Sequence, residues 1–395
     1  MNPSASGWID KFGHLVKDYH ELYDNFDELY AHLKNIGFIY GINVSIPEFI
    51  HPEHPLSEDE KAKINLLTAL YFTYRQKSKT VTFSSFLEEI FEFYNQLGIN
   101  KISFLNKILT GKKTSSQLEK LIESRIYLDD NVISKNFNSI ITNSLLYIDV
   151  LTFKNYLELK SDPKKHAEKL EYITINIIYH TLSSKQKNKT DAKLAQLFES
   201  SLTFIDSTQD SFDGTYRRKL INNFTPRENT YFLDVACLTV WEDQSLEYKE
   251  SEFIFGIGKD LGIPSKAILK SIEEVAVFFE QNTRQIPHLK NNNLAVQFYD
   301  SMSKIVNKLI LRNSKRLQKE LSESKELVAL LSKSTVKDLT EEEKKKVQNQ
   351  LLDIFKSIPS LAIFILPGGA VLLPIFIKLI PKLLPSAFDD NRVDE

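Results

Sequence analysis

A single cysteine, Cys237, occurs in the whole chain. No internal disulfide can form and no thiolate metal cluster can be assembled within one copy, which fits a reducing compartment. Glycine is also scarce, at 12 of 395 residues, too few for the turns that β-rich or phosphate-cradling folds require. Neither sign of charge dominates: 50 Lys and Arg oppose 52 Asp and Glu, for a net charge of −2. Bulk charge therefore argues against DNA as a partner and against an acidic, solvating chain. The first residues, MNPSASGWIDKFGHLVKDYHELYD, lack the basic and then apolar run of a signal peptide, so the body is expected to stay cytoplasmic.

Catalytic patterns are missing as well. There is no G-x-G-x-x-G and no G-x-S-x-G, and Gly111-Lys112-Lys113-Thr114 lacks both the leading glycine and the final Ser/Thr of a P-loop. His51-Pro52-Glu53-His54 reads as an exposed loop, since no nearby helix supplies ligands at i,i+4 spacing. The other histidines are scattered singly. Cys237 stands among Ala236, Leu238 and Val240 and reads as packing. A non-enzymatic protein without a cofactor is expected.

Helix signals, by contrast, recur. Ser57 with Glu60, Thr225 with Glu228, and Thr340 with Glu343 form S/T-x-x-E capping boxes, and Pro226 suits a first helical position. Gly37, Gly98 and Gly262 follow apolar periodic runs, as left-handed caps do. Apolar residues repeat at helical spacing, for example Phe86, Ile90, Phe93, Tyr94 and Leu97. The β-favouring run 173–178 has no hairpin turns at its flanks and is read as a buried helix. The expected fold is all-α, a multi-helix array. Polar linkers place an N-terminal helical domain at 1–185, a helical module at 191–290, connecting helices at 295–356 and an apolar segment at 357–388.

That apolar segment is the most unusual feature. Residues 358–377, IPSLAIFILPGGAVLLPIFI, carry no charge over a length that would span roughly the ~30 Å hydrocarbon layer as a helix. Lys378 and Lys382 stand ready to snorkel to headgroups. Pro359, Pro367, Pro374, Pro381 and Pro385 punctuate it, and Pro367-Gly368-Gly369 is a strong break. Three structures stay open: a kinked span, favoured by hydropathy; a re-entrant hairpin; and a buried core hairpin.

The stretch from Leu339 to Phe388, with Phe355, Ile358-Pro359, Pro367, Leu372-Leu373-Pro374, Lys378-Leu379, Pro381 and Leu384-Pro385-Ser386, resembles the membrane-segment signature of the LETM family. The resemblance implies an inner-membrane location, with the shortened, biofilm-associated bacterial LETM-like proteins as the nearest type. Two departures stand out. Ala370 occupies the place of the family's intramembrane glutamate, which weakens cation or proton transport as a function. The family's ribosome-binding domain is expected after this signature, where the chain ends at Glu395, which makes a ribosome the secondary expectation.

Upstream, Asp243 to Glu250 followed by Phe253 and Leu261-Gly262-Ile263 is similar to the TerB helical module, with Gln244 in place of its glycine. That likeness implies a divalent-metal role for Asp243 and Glu250; helix capping is the simpler account. Finally, Lys304, Lys308, Arg312, Lys315, Arg316 and Lys319 draw a cationic stripe suited to anionic lipid headgroups. The expected protein is a membrane-anchored helical accessory or interaction protein with lipid and an unidentified protein as partners. Ion transport and ribosome binding are the alternatives.

Overall fold

The computed structural model describes residues 1–19, 21–77, 82–97, 114–126, 145–184, 216–241, 248–282, 303, 306–307, 309–334, 337, 339–358, 361, 364 and 372–389. Among these the chain is helical, with no strand. The N-terminal body holds α1 (Trp8–Leu15), α2 (Phe26–Asn35), α3 (Glu58–Arg75), α4 (Phe83–Gln96), α5 (Ser115–Arg125), α6 (Tyr147–Leu159), α7 (Pro163–Ser184), α8 (Tyr216–Leu220), α9 (Pro226–Val240), α10 (Tyr248–Asp260) and α11 (Ser265–Asn282).

Local chemistry sets the helix ends. All three sequence-expected capping boxes close, at Ser57, Thr225 and Thr340, each side chain meeting the N3 backbone while the N3 glutamate returns to the cap. Gly37 and Gly262 stop α2 and α10 at φ 86° and 69°. Gly98 lies outside the described residues. The run 173–178 is helical within α7, with Ile173, Ile175, Ile177 and Ile178 buried.

Three helices are apolar nearly all round and so form the centre. α3 buries every residue from Ile64 to Tyr74, α6 nearly all of its length, and α9 every residue from Tyr231 to Val240. The packing runs α3 on α6, α6 on α7, α7 on α9, and α9 on α10 and α11. Phe12, Tyr71, Phe72, Phe86, Phe93 and Phe153 fill the first part of this core with edge-on and tilted ring contacts.

The C-terminal part holds α12 (Ser314–Ser322), α13 (Lys325–Lys333), α14 (Glu341–Ser357), α15 (Leu373–Leu383) and α16 (Ser386–Asp389). Short α13 is the hub, packing against α12, α14, α15 and α16.

The apolar tail, for which a kinked span, a re-entrant hairpin and a buried core hairpin stood open, is described only in part. α14 stops at Ser357 and Ile358 is extended, as a residue before proline prefers. Among the described residues the next α-helix begins at Leu373, with Pro374 in its first turn. Eleven residues give α15 a length of about 16 Å, roughly half a hydrocarbon layer. No helix among the described residues is long and apolar enough to cross a membrane. Nor do the described apolar side chains form an exposed belt: Leu361, Phe364, Leu372, Leu373, Ile375, Phe376 and Ile380 are all buried. Phe355, Phe364 and Phe376 close a ring triad, with centroids 4.6 Å and 5.1 Å apart.

Candidate functional site

Three buried polar clusters knit the N-terminal body together. The first joins α2, α9 and α11. Lys34 Nζ donates to Asp234 Oδ1 at 2.7 Å and to Glu274 Oε2 at 2.6 Å, and Tyr30 donates to Asp234 Oδ2 at 2.6 Å. Asp234 is wholly buried. Burial alone would strip the Lys34 proton, but the two carboxylates outweigh it and hold the ammonium charged. Burial, reinforced by Asp234, pushes the Tyr30 hydroxyl far above its ordinary range. Cys237 lies beside this cluster, and burial raises its thiol too, which leaves it a packing residue.

The second joins α4, α5 and α6. Arg125 grips Asp149 with two parallel bonds, Nε to Oδ2 at 2.7 Å and an NH2 to Oδ1 at 2.6 Å, and Tyr94 donates to Oδ2 at 2.9 Å. Both charged side chains are essentially inaccessible. In the third, His166 on α7 meets Glu228 at 2.6 Å, while the Thr225 N–H donates to the same carboxylate at 2.7 Å. Burial would raise the Glu228 carboxyl, but these bonds outweigh it and hold it below its ordinary value. A residue that the sequence marks only as a cap thus also anchors a neighbouring helix. The Arg125–Asp149 and His166–Glu228 contacts have the arrangement of structural pairs, while in the first cluster Glu274 is part-exposed and also meets Lys270 at 3.5 Å.

The C-terminal bundle also presents cations to water. Arg312, Lys315, Arg316 and Lys319 are exposed and make no ion pair among the described residues. The stripe is bent: the helical run entering from Leu309 turns at Asn313, whose φ is −107° and ψ 14°, before α12 begins. The Arg316 and Leu317 N–H groups donate to the Asn313 carbonyl at 3.0 and 2.9 Å, so α12 starts from that turn. Lys304 and Lys308 lie outside the described residues. Lys378 and Lys382, one turn apart on α15, are likewise exposed and without an ion pair among the described residues. Three other cations here are engaged: Lys333 with Glu343 at 2.6 Å, Lys346 with Glu326 at 2.9 Å, and Lys356 with Asp353 at 2.6 Å.

The remaining sequence-expected residues divide as follows. Pro374 is buried at the start of α15, Pro381 is half-buried within it, and Pro385 is exposed just after it. Pro359, Pro367, Gly368, Gly369 and Ala370 lie outside the described residues. So do Asp243 and the side chain of Glu250, whose backbone belongs to α10. Among the described residues no three His, Cys, Asp or Glu side chains converge as a metal would require. His51-Pro52-Glu53-His54 is an exposed loop, with Glu53 paired to Lys11 at 3.1 Å.

Comparison with known proteins bears on this same bundle. The family model described as LETM1-like, RBD matches residues 339–395, covering α14, α15 and α16. No curated protein and no solved structure matches the chain.

Proposed function

We propose that this chain is a non-enzymatic helical interaction protein whose C-terminal bundle docks on the ribosome as a LETM-type ribosome-binding module. One observation carries the reading: the ribosome-binding family match falls on α14–α16, a stretch where Phe355, Phe364, Ile375 and Phe376 are buried and no described helix is of membrane length. Hydropathy favoured a lipid anchor for this segment, and the family resemblance implied a ribosome-binding domain after it.

Docking on ribosomal RNA calls for cations free to meet phosphates. Lys378 and Lys382 on α15 meet that need, being exposed and unpaired among the described residues. The test is co-sedimentation of the full chain with purified ribosomes through a sucrose cushion across a salt series. The wild type pellets at low salt. In Lys378→Glu/Lys382→Glu, the slope of log affinity against log salt falls by roughly one for each phosphate left without its cation. A chain that stays in the supernatant with ribosomes at low salt refutes the reading.

A further inference from the structure

The α12 stripe lies upstream of the matched segment, and ribosome docking through α14–α16 does not use it. Between Ser301 and Lys319 the sequence holds six Lys and Arg and no Asp or Glu. Four of those cations, Arg312, Lys315, Arg316 and Lys319, are exposed with no ion-pair partner among the described residues. The opposite side of the same segment is fixed in the bundle: Leu309, Ile310, Leu317 and Leu321 are fully buried. Nearby acids are few. Glu320 accepts a hydrogen bond from Ser357 Oγ at 3.2 Å, and exposed Glu323 closes the stripe at its far end.

One more residue decides between partners. Leu311 is 53% exposed beside Arg312 and one turn before Lys315. A large apolar side chain bordering a row of cations suits a helix lying on an anionic bilayer, where the cations meet headgroups and the leucine enters the acyl boundary. A phosphodiester backbone offers the cations the same charge but gives the leucine nothing. No aromatic side chain among the described residues is exposed beside the stripe on which bases would stack.

We propose that Leu311, Arg312, Lys315, Arg316 and Lys319 form a peripheral docking surface for an anionic lipid bilayer. The bundle stays folded as it rests on the membrane, and no segment crosses it. This surface is independent of the ribosome reading, and the two fail separately.

The test is flotation of the full chain with phosphatidylcholine vesicles, with and without phosphatidylserine, alongside ribosome pelleting of the same proteins. The wild type floats only with phosphatidylserine. Arg312→Gln/Lys315→Gln/Arg316→Gln/Lys319→Gln loses roughly fivefold in partitioning per charge, several-hundredfold in all, yet pellets with ribosomes as before. Leu311→Ser weakens flotation by a further few-fold without changing its salt dependence. Equal flotation with both vesicle types, no flotation, or unchanged flotation of the quadruple variant overturns the proposal. A quadruple variant that loses ribosome pelleting, in a protein whose wild type ignores vesicles, assigns the stripe to RNA phosphates and overturns it too.

Discussion

Replacing Phe376 with alanine tests whether the apolar tail is a core. Phe376 is fully buried, edge-on to Phe355 at 5.1 Å and near-perpendicular to Phe364 at 5.1 Å. Truncating a buried phenylalanine costs about 3–5 kcal/mol, made up of lost transfer energy and the cavity left behind. The two ring contacts belong within that figure. A domain's whole stability is only about 5–15 kcal/mol, so the loss falls heavily on a bundle this small. Native-state hydrogen exchange reads it locally. At about 4 kcal/mol, globally protected amides of α13, α14 and α15 exchange roughly a thousandfold faster, while those of α3, α7 and α9 keep their rates. Lys378→Ala, an outward change on the same helix, leaves all of them unchanged. If Phe376→Ala shifts α14 and α15 exchange by less than threefold, the ring triad is not what holds this segment, and the inward-packed tail is refuted.

Asp149→Ala strands the Arg125 guanidinium in the core and is expected to cost about 3–5 kcal/mol in urea unfolding, whereas Arg125→Met/Asp149→Leu comes out near neutral. A single variant costing under ~1 kcal/mol denies the buried pair. Glu228, held below its ordinary 4.5, contributes stability that is full above that value and drains away as pH falls through the lowered one. Glu228→Gln is therefore expected to flatten the acid limb of a Tm–pH profile, and an unchanged limb contradicts the His166 contact. At Gly37, φ is 86° and a Cβ would stand 1.8 Å from the Ile42 carbonyl oxygen. Gly37→Ala is expected to cost more than the ~1–2 kcal/mol of the left-handed conformation alone, and a thermal melt that does not move rules out the close approach.

Local features proved readable because their chemistry is local. A Ser or Thr three residues before Glu satisfies orphan N–H groups where it opens a helix, and the boxes expected at Ser57, Thr225 and Thr340 all formed. The buried pairs were hidden by distance along the chain: Lys34 and Asp234 are 200 residues apart, Arg125 and Asp149 are 24 apart. A signal existed nonetheless. Asp149 sits in Tyr-Ile-Asp-Val-Leu and Asp234 in Phe-Leu-Asp-Val-Ala, single carboxylates inside apolar runs, which a core tolerates only with a partner. The tail was less legible for another reason. Hydropathy measures aversion to water and does not say whether lipid or protein provides the shelter. Among the described residues the helix at Leu373–Leu383 is too short to span.

The net charge of −2 conceals an unequal distribution that bears on both proposed partners. Residues 303–389 hold fifteen Lys and Arg against nine Asp and Glu, while residues 1–302 hold thirty-four against forty. A ribosome and an acidic bilayer are both polyanions, so each attracts the C-terminal bundle and repels the body that carries it. The repulsion costs affinity, yet it also disfavours encounters that begin with the wrong end. Raising salt screens both effects beyond a Debye length of about 8 Å at physiological strength, whereas contacts at Lys378, Lys382 and the α12 stripe act at shorter range. Low salt should therefore sharpen the orientation of binding as well as its strength, and a chain with the body's acids neutralised should bind more tightly but with less preference for its C-terminal end.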